Sequence, residues 1–97
     1  MASLVQQSAT SSRIDHVLAV LTRQWNAIPE VVCTWESWDE LDRLDFVIEW
    51  PIREMQLKQL RQWQDEGQLS SHQRQRFAEL ERLIQEHRAA VDRLLAE

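Results

Sequence analysis

Few side chains in this sequence are spaced as catalysis or metal binding requires. The histidines His16, His72 and His87 lie far apart and outside the HExxH and ExxH spacings that put two ligands on one helix face. We therefore predict no metal site. We also predict no bound cofactor, because the sequence contains neither a phosphate-binding P-loop nor a dinucleotide-binding glycine motif.

Two potential nucleophiles are better explained by structural roles. The run Ser70–His72 lies where the cap of a helix is expected, and no nucleophile elbow surrounds it. Cys33 has acidic rather than basic neighbours in the sequence, so nothing nearby favours the reactive thiolate. As the single cysteine, it also excludes an internal disulfide. We predict a helix cap at the first position and an inert thiol at the second.

Three carboxylates at helical spacing, Asp42, Asp45 and Glu49, are the remaining candidates for chemistry. Carboxylates so placed can bind a divalent cation or act as general acid and base. No motif supplies a substrate pocket around them, so we predict that the protein is not an enzyme and that no residue is catalytic. A carboxylate-based, metal-dependent enzyme remains a distant alternative.

Length and composition define the scaffold that positions these groups. The chain has 97 residues, 43% hydrophobic and 28% charged, which suits one small globular domain. One glycine and two prolines leave too few turn residues for a β-sandwich or barrel, so we predict an all-α fold. The longest purely apolar run, Val17–Leu21, is far too short to span a membrane. We predict a soluble, cytoplasmic protein without a secretory signal.

The domain organisation follows from where helical periodicity begins. Residues 1–11 lack it and are predicted to form a flexible arm, whereas residues 12–97 form a single domain. We expect three or four helices in a small bundle that ends in an antiparallel helical hairpin. The first helix is predicted to begin near Arg13 and to end before Pro29. Capping boxes predict three helix starts, at Ser12 with Asp15, Ser37 with Glu40, and Ser70 with Gln73.

The middle of the chain carries a second apolar series, closed by a glycine at Gly67 that is suited to a helix C-terminus. Pro51 either starts a new helix or kinks a continuing one, so residues 37–66 form two helices or one. The predicted buried face of its first part, up to Trp50, consists of Leu41, Leu44, Val47 and Ile48. After Pro51 the helical spacing continues through Ile52, Met55, Gln59, Leu60 and Trp63.

The last segment has the clearest helical pattern. Its apolar positions follow the a and d spacing of a coiled coil: Phe77, Leu80, Ile84, His87, Val91 and Leu94. If the preceding helix covers only residues 51–66, this longer helix extends past it and must find another surface. We therefore predict an oligomer interface at Ile84, His87, Val91, Leu94 and Leu95.

The charge is concentrated in one stretch. The chain has a net charge of −5, yet residues 30–50 contain seven acidic residues against one basic residue, Arg43. Three of the five tryptophans lie there too. Aromatic anchors rimmed by acids favour docking of a basic partner, for which a nucleic-acid-processing protein is a candidate. The predicted partner-binding residues are Trp35, Trp38, Asp39, Asp42, Asp45, Phe46, Glu49 and Trp50. The alternative to a docking surface is that this segment is a central helix whose acidic side chains are simply solvated.

Taken together, these features predict a non-enzymatic protein-protein interaction module. In size and charge it resembles small acidic bacterial antitoxins and inhibitor subunits, and this resemblance implies an inhibitor, antitoxin or accessory role without assigning any residue a function. The acidic balance argues against direct contact with nucleic acid or with an anionic membrane. The alternative is a helical structural subunit that forms a homo-oligomer.

Overall fold

The computed structural model describes the backbone of residues 2–96 and the side chains of residues 9–96. This part of the chain contains helices and no β-strand, which confirms the predicted all-α fold. Its elements are three long helices, α1 (Ala2–Asn26), α3 (Glu40–Asp65) and α4 (Ser71–Ala96), and between the first two a short α2 (Ile28–Thr34) and a 3₁₀ turn at Trp35–Ser37. Met1 of the predicted arm and Glu97 of the predicted domain lie outside the described residues.

Helix α1 extends through the segment that was predicted to be an arm. It begins at Ala2 rather than near Arg13, and Ser12 lies inside it instead of capping it. The segment before Arg13 contains no proline or glycine, so nothing in its sequence terminates a helix that grows toward the N-terminus.

The α1–α2 junction is a single turn at Ala27. The Ala27 amide donates to the Arg23 carbonyl oxygen at 3.1 Å, and the Val31 amide donates to the Ala27 carbonyl oxygen at 3.0 Å. Pro29 lies in the first turn of α2, where a missing N–H leaves no intrahelical hydrogen bond unmade. The predicted end of the first helix before Pro29 is therefore confirmed.

Helix α3 passes through Pro51 without interruption. Of the two possibilities for residues 37–66, two helices or one, the structure therefore shows one helix. Asp39 is its N-cap, and the Asp39 side chain accepts from the Asp42 amide at 2.8 Å. The predicted cap at Ser37 is wrong, because the 3₁₀ turn includes Ser37 and its hydroxyl donates to the Thr34 carbonyl oxygen at 2.6 Å.

The end of α3 confirms the role of Gly67, which has a φ of +74°. The Gly67 amide donates to the Gln64 carbonyl oxygen at 3.0 Å, and the Gln68 amide donates to the Trp63 carbonyl oxygen at 2.9 Å. These two bonds form a Schellman motif, which requires a left-handed residue at the Gly67 position.

The start of α4 confirms the third capping box. The Gln73 amide donates to Ser70 Oγ at 3.1 Å, and the Ser70 amide donates to Gln73 Oε1 at 2.9 Å. Gln73 is buried, and its Nε2 also donates to the Ser11 carbonyl oxygen at 3.2 Å and to Asp15 Oδ1 at 3.0 Å. The same residue therefore caps α4 and joins it to α1.

The core lies between α1 and the inner faces of α3 and α4. It is built mainly from Ile14, Leu18, Leu21 and Trp25 of α1, Trp50, Leu57 and Leu60 of α3, and Phe77, Leu80, Ile84 and Val91 of α4. The predicted apolar face of α4 is confirmed as buried, apart from His87, which is half-buried.

The buried face predicted for the first part of α3 is wrong, whereas Leu60 of the later part is buried. Leu41, Leu44 and Ile48 are exposed and Val47 is only half-buried, whereas Trp50 is in the core. Helix α3 carries two apolar faces, and the aromatic one buries more apolar area per residue. Rings on α1 and on the 3₁₀ turn pack against that face, so it points inward and the aliphatic face points to solvent.

Candidate functional site

A row of aromatic rings fixes the orientation of α3. Phe46 stacks on Trp50 with ring centroids 5.3 Å apart, and Trp50 meets the edge of Trp25 at 5.2 Å. At the other end, Trp35 contacts Phe46 at 5.5 Å. Trp35 and Trp50 are only 5% and 4% exposed. These two predicted partner-binding residues are therefore interior residues of the chain rather than surface anchors.

Arginine side chains pack on the rings at both ends of this aromatic row. Arg88 lies 5.1 Å from the ring centroid of Trp25 and donates to Glu54 Oε1 at 2.6 Å. Glu54 Oε1 also accepts from Trp50 Nε1 at 3.1 Å. The half-buried Glu54 thus holds a tryptophan of α3 and an arginine of α4 at once.

Arg43 is used in the same way at the other end of the row. Its guanidinium lies 5.6 Å from the ring centroid of Trp35, and its Nε donates to the Trp35 carbonyl oxygen at 3.0 Å. Arg43 is the single basic residue in residues 30–50. Since it packs on the tryptophan, it makes no ion pair with the acids of that stretch among the described residues.

The structure brings five of the predicted partner-binding residues together. They line one open groove of about 290 Å³: Trp38, Asp42, Asp45, Phe46 and Glu49. Asp39 does not join them, because its carboxylate caps α3. We call Asp42, Asp45 and Glu49 the acidic edge; within the described residues none of the three has an ion-pair partner.

The main exposed feature of α3 is a row of aliphatic side chains beside that edge. We call this row the apolar stripe; its members and exposed fractions are Leu41 71%, Leu44 51%, Ile48 61%, Ile52 52% and Met55 70%. They are separated by three, four, four and three positions, so they share one helix face about 21 Å long. Their helical spacing is visible in the sequence, but it does not show whether the face is buried.

The apolar stripe lies between two grooves. Asp45 and Glu49 each follow a stripe residue by one position, which places the acidic edge to one side of the stripe. On the other side, Leu44 also lines a groove of about 320 Å³, together with Trp35, Glu40, Arg43, Val47, Leu94 and Leu95. An apolar ligand on the stripe would therefore meet carboxylates on one flank and a mainly apolar depression on the other.

The oligomer interface predicted on α4 is largely internal. Ile84, Val91 and Leu94 are buried within the chain, and His87 and Leu95 are half-buried. The prediction assumed a short preceding helix, but α3 has 26 residues and α2 packs on α4. Covering the end of α4 consequently requires no second chain. His87 Nε2 lies 3.9 Å from Glu86 Oε2.

Comparisons and the remaining chemical candidates add no further site. Neither a known protein family, a curated protein nor a solved structure matches the chain significantly.

Among the described residues, no group of three or more His, Cys, Asp and Glu side chains is arranged to hold a metal ion. Cys33 is exposed and free. No helix in the described part of the chain has both the length and the apolar character needed to cross a bilayer.

Proposed function

We propose that this chain is a non-enzymatic protein-protein interaction module that docks a basic partner through α3. The apolar stripe is the observation that carries this proposal. Five large aliphatic side chains, each at least half exposed, form one contiguous row. Contiguous apolar surface of this kind marks interaction sites, because a monomer gains nothing from holding it in water.

The charge beside the stripe selects the partner. All seven acids of residues 30–50 lack an ion pair among the described residues, and the one basic residue there, Arg43, packs on Trp35. The surface next to the stripe is therefore negative, which accelerates association with a positively charged partner. A small acidic subunit of this kind suits an inhibitor, antitoxin or accessory role.

The proposed docking surface differs from the one expected from sequence. The aliphatic residues of the apolar stripe replace Trp35 and Trp50 as anchors, while Trp38 and Phe46 remain beside the acidic edge as groove walls. The buried tryptophans hold α3 in the orientation that exposes the stripe.

The proposal includes an antiparallel hairpin of α3 and α4, both packed on α1, as the support of this surface. Arg61 of α3 pairs with Glu81 of α4 at 3.3 Å, and Glu54 pairs with Arg88 at 2.6 Å. Earlier positions on α3 thus meet later positions on α4, as a helical hairpin requires.

Affinity purification from the source cells with matched variants tests the proposal. A specific partner should be retained by the wild-type chain and by Gln85→Asp, on the exposed side of α4, and lost with Ile48→Asp. The retained protein is then expressed alone and its binding measured at several salt concentrations. A basic protein whose association slows with salt supports the proposal. A partner that binds Ile48→Asp as well as wild type, or one that is acidic, overturns it.

Self-association is the second candidate function, and one observation favours it. The apolar stripe is symmetric about Ile48: Leu41 and Met55 lie seven positions to either side, and Leu44 and Ile52 lie four. Two copies of α3 could therefore pair antiparallel about a two-fold axis at Ile48, with each stripe covering the other.

The acidic edge opposes that pairing. A two-fold axis sets each edge against the same edge of the copy, which brings Asp45 of one chain near Glu49 of the other. Neither residue has an ion-pair partner among the described residues, so their four carboxylates would gather uncompensated on one side of the interface. Sedimentation of the wild-type chain at physiological ionic strength separates the two candidates, since a dimer under that condition supports the homo-oligomer and a monomer supports docking of another protein.

A further inference from the structure

We infer that the occupant of this surface is an amphipathic α-helix of another protein, with its apolar face on the stripe and Lys or Arg along the one edge that meets Asp45 and Glu49. This inference rests on the proposed function and specifies the form of the partner.

The spacing of the stripe points to a helix. Intervals of three, four, four and three positions are those of a helix-helix seam, in which each side chain enters a gap between residues of the facing helix. The stripe spans about 21 Å, so a partner helix of about four turns covers it from Leu41 to Met55. A partner strand would instead need a free sheet edge, and the described part of the chain contains no strand.

The two flanks of the stripe differ, which fixes the face that the partner presents. The acidic edge occupies one flank, where Asp45 and Glu49 are exposed and without ion pairs among the described residues. The other flank carries exposed residues of both signs, Glu40 and Lys58. Basic residues are therefore favourable on one flank of the partner helix and not required on the other.

A second copy of the chain does not meet this requirement. The edge that it would present to Asp45 and Glu49 is its own acidic edge, because a two-fold axis matches like with like. The arginines of α4 do not supply a basic stripe either, since all five are interspersed with acids along the helix. Three of them are also paired: Arg76 with Asp15, Arg82 with Glu86 and Arg88 with Glu54.

The groove beside Leu44 provides a pocket for an anchoring side chain of the partner, near the N-terminal end of the stripe. Its volume of about 320 Å³ and its aliphatic lining from Val47, Leu94 and Leu95 suit a large apolar side chain. We therefore expect the partner helix to place its bulkiest apolar residue near Leu44. Such an anchor in a pocket commonly dominates the binding energy of an interface.

Three synthetic peptides of about three heptads serve as probes for the full chain. The first has Leu and Ile at positions a and d and Lys along one edge. The second has Glu in place of each Lys. The third contains the residues of the first in an order without an apolar face. Fluorescence anisotropy of labelled peptides should show that the first binds at least about tenfold more tightly than the other two, with an affinity that falls as salt is added.

A charge exchange tests which edge is used. Asp45→Lys combined with Glu49→Lys should reverse the preference, so that the Glu peptide binds about tenfold more tightly than the Lys peptide. Glu79→Lys combined with Asp92→Lys changes the net charge equally at exposed positions of α4 and should keep the wild-type preference. Ile48→Asp should abolish binding of either peptide, and Leu41→Ser, at the most exposed stripe position, should weaken it at least about threefold.

The outcomes separate this inference from the proposed function. Equal binding of the scrambled and ordered Lys peptides, or binding by none of the three, would overturn the helical occupant and leave a basic folded partner possible. Binding of the Glu peptide as tightly as the Lys peptide to the wild-type chain would overturn the proposed basic partner itself. Circular dichroism spectra that match wild type are required for each variant, which the exposure of all substituted positions leads us to expect.

Discussion

At the scale of single residues, polar side chains join helices whose relative placement the hydrophobic pattern alone does not specify. Glu54 Oε1 accepts from Trp50 and from Arg88, and the guanidinium of Arg88 covers the ring of Trp25. These contacts join three helices around one carboxylate. The link between Glu54 and Arg88 could not be predicted from sequence, because the two residues are 34 positions apart and nothing in their types distinguishes them from solvated charges.

Removing the Glu54 carboxylate should therefore destabilise the fold. We expect Glu54→Ala to lower the free energy of unfolding by about 1–2 kcal/mol, since Trp50 Nε1 loses its acceptor and Arg88 its partner. Glu66→Ala, at an exposed position after α3, should have little effect. Urea unfolding followed by tryptophan fluorescence measures both, and equal values would show that the Glu54 contacts contribute nothing.

Gln73 offers a second test at this scale. Gln73→Ala removes half of the capping box of α4 and the link to Ser11 and Asp15, so we expect a loss of about 2–3 kcal/mol. Gln73→Glu keeps the acceptor for Ser70 but sets a carboxylate against Asp15, and should remain less stable than wild type. A wild-type unfolding midpoint in either variant would contradict this role.

At the scale of elements, α4 could be predicted almost completely from sequence and α3 only in part. Helix α4 has one apolar face, so its periodicity identifies the buried side, and its capping box marks its start. Helix α3 has two apolar faces, and periodicity cannot rank them. The choice depends on Trp25 and Trp35, which lie outside α3 and reach its aromatic side only in the folded chain.

Paired substitutions on the two faces of α3 test this assignment. Trp50→Ala should cost about 3–5 kcal/mol, because it removes a buried ring that contacts Phe46 and Trp25. Ile48→Asp should change the free energy of unfolding by less than about 1 kcal/mol, since Ile48 is 61% exposed. Thermal unfolding by circular dichroism provides the comparison, and the opposite order would mean that the aliphatic face is the buried one.

At the scale of the whole molecule, the apolar stripe and the acidic edge have opposite effects on association. The stripe is symmetric about Ile48 and could cover itself in a second copy, whereas the edge makes that pairing repulsive. Charge placed beside an exposed apolar surface is a common means of preventing self-association while leaving the surface open to an oppositely charged partner. The negative charge concentrated in residues 30–50 would thus both prevent self-association through the stripe and attract a basic partner.

Neutralising the acidic edge should therefore convert the chain into a dimer. The triple variant Asp42→Asn, Asp45→Asn, Glu49→Gln keeps the side-chain shapes and removes the repulsion, so the stripe of one copy can cover that of another. We expect sedimentation equilibrium to show dimers of this variant at concentrations where the wild type is monomeric, and addition of Ile48→Asp to restore the monomer. Neutralising three exposed acids elsewhere, by Asp65→Asn, Glu79→Gln and Asp92→Asn, changes the net charge equally and should leave a monomer. Dimers of this control as well would show that total charge, rather than the position of the acidic edge, keeps the copies apart.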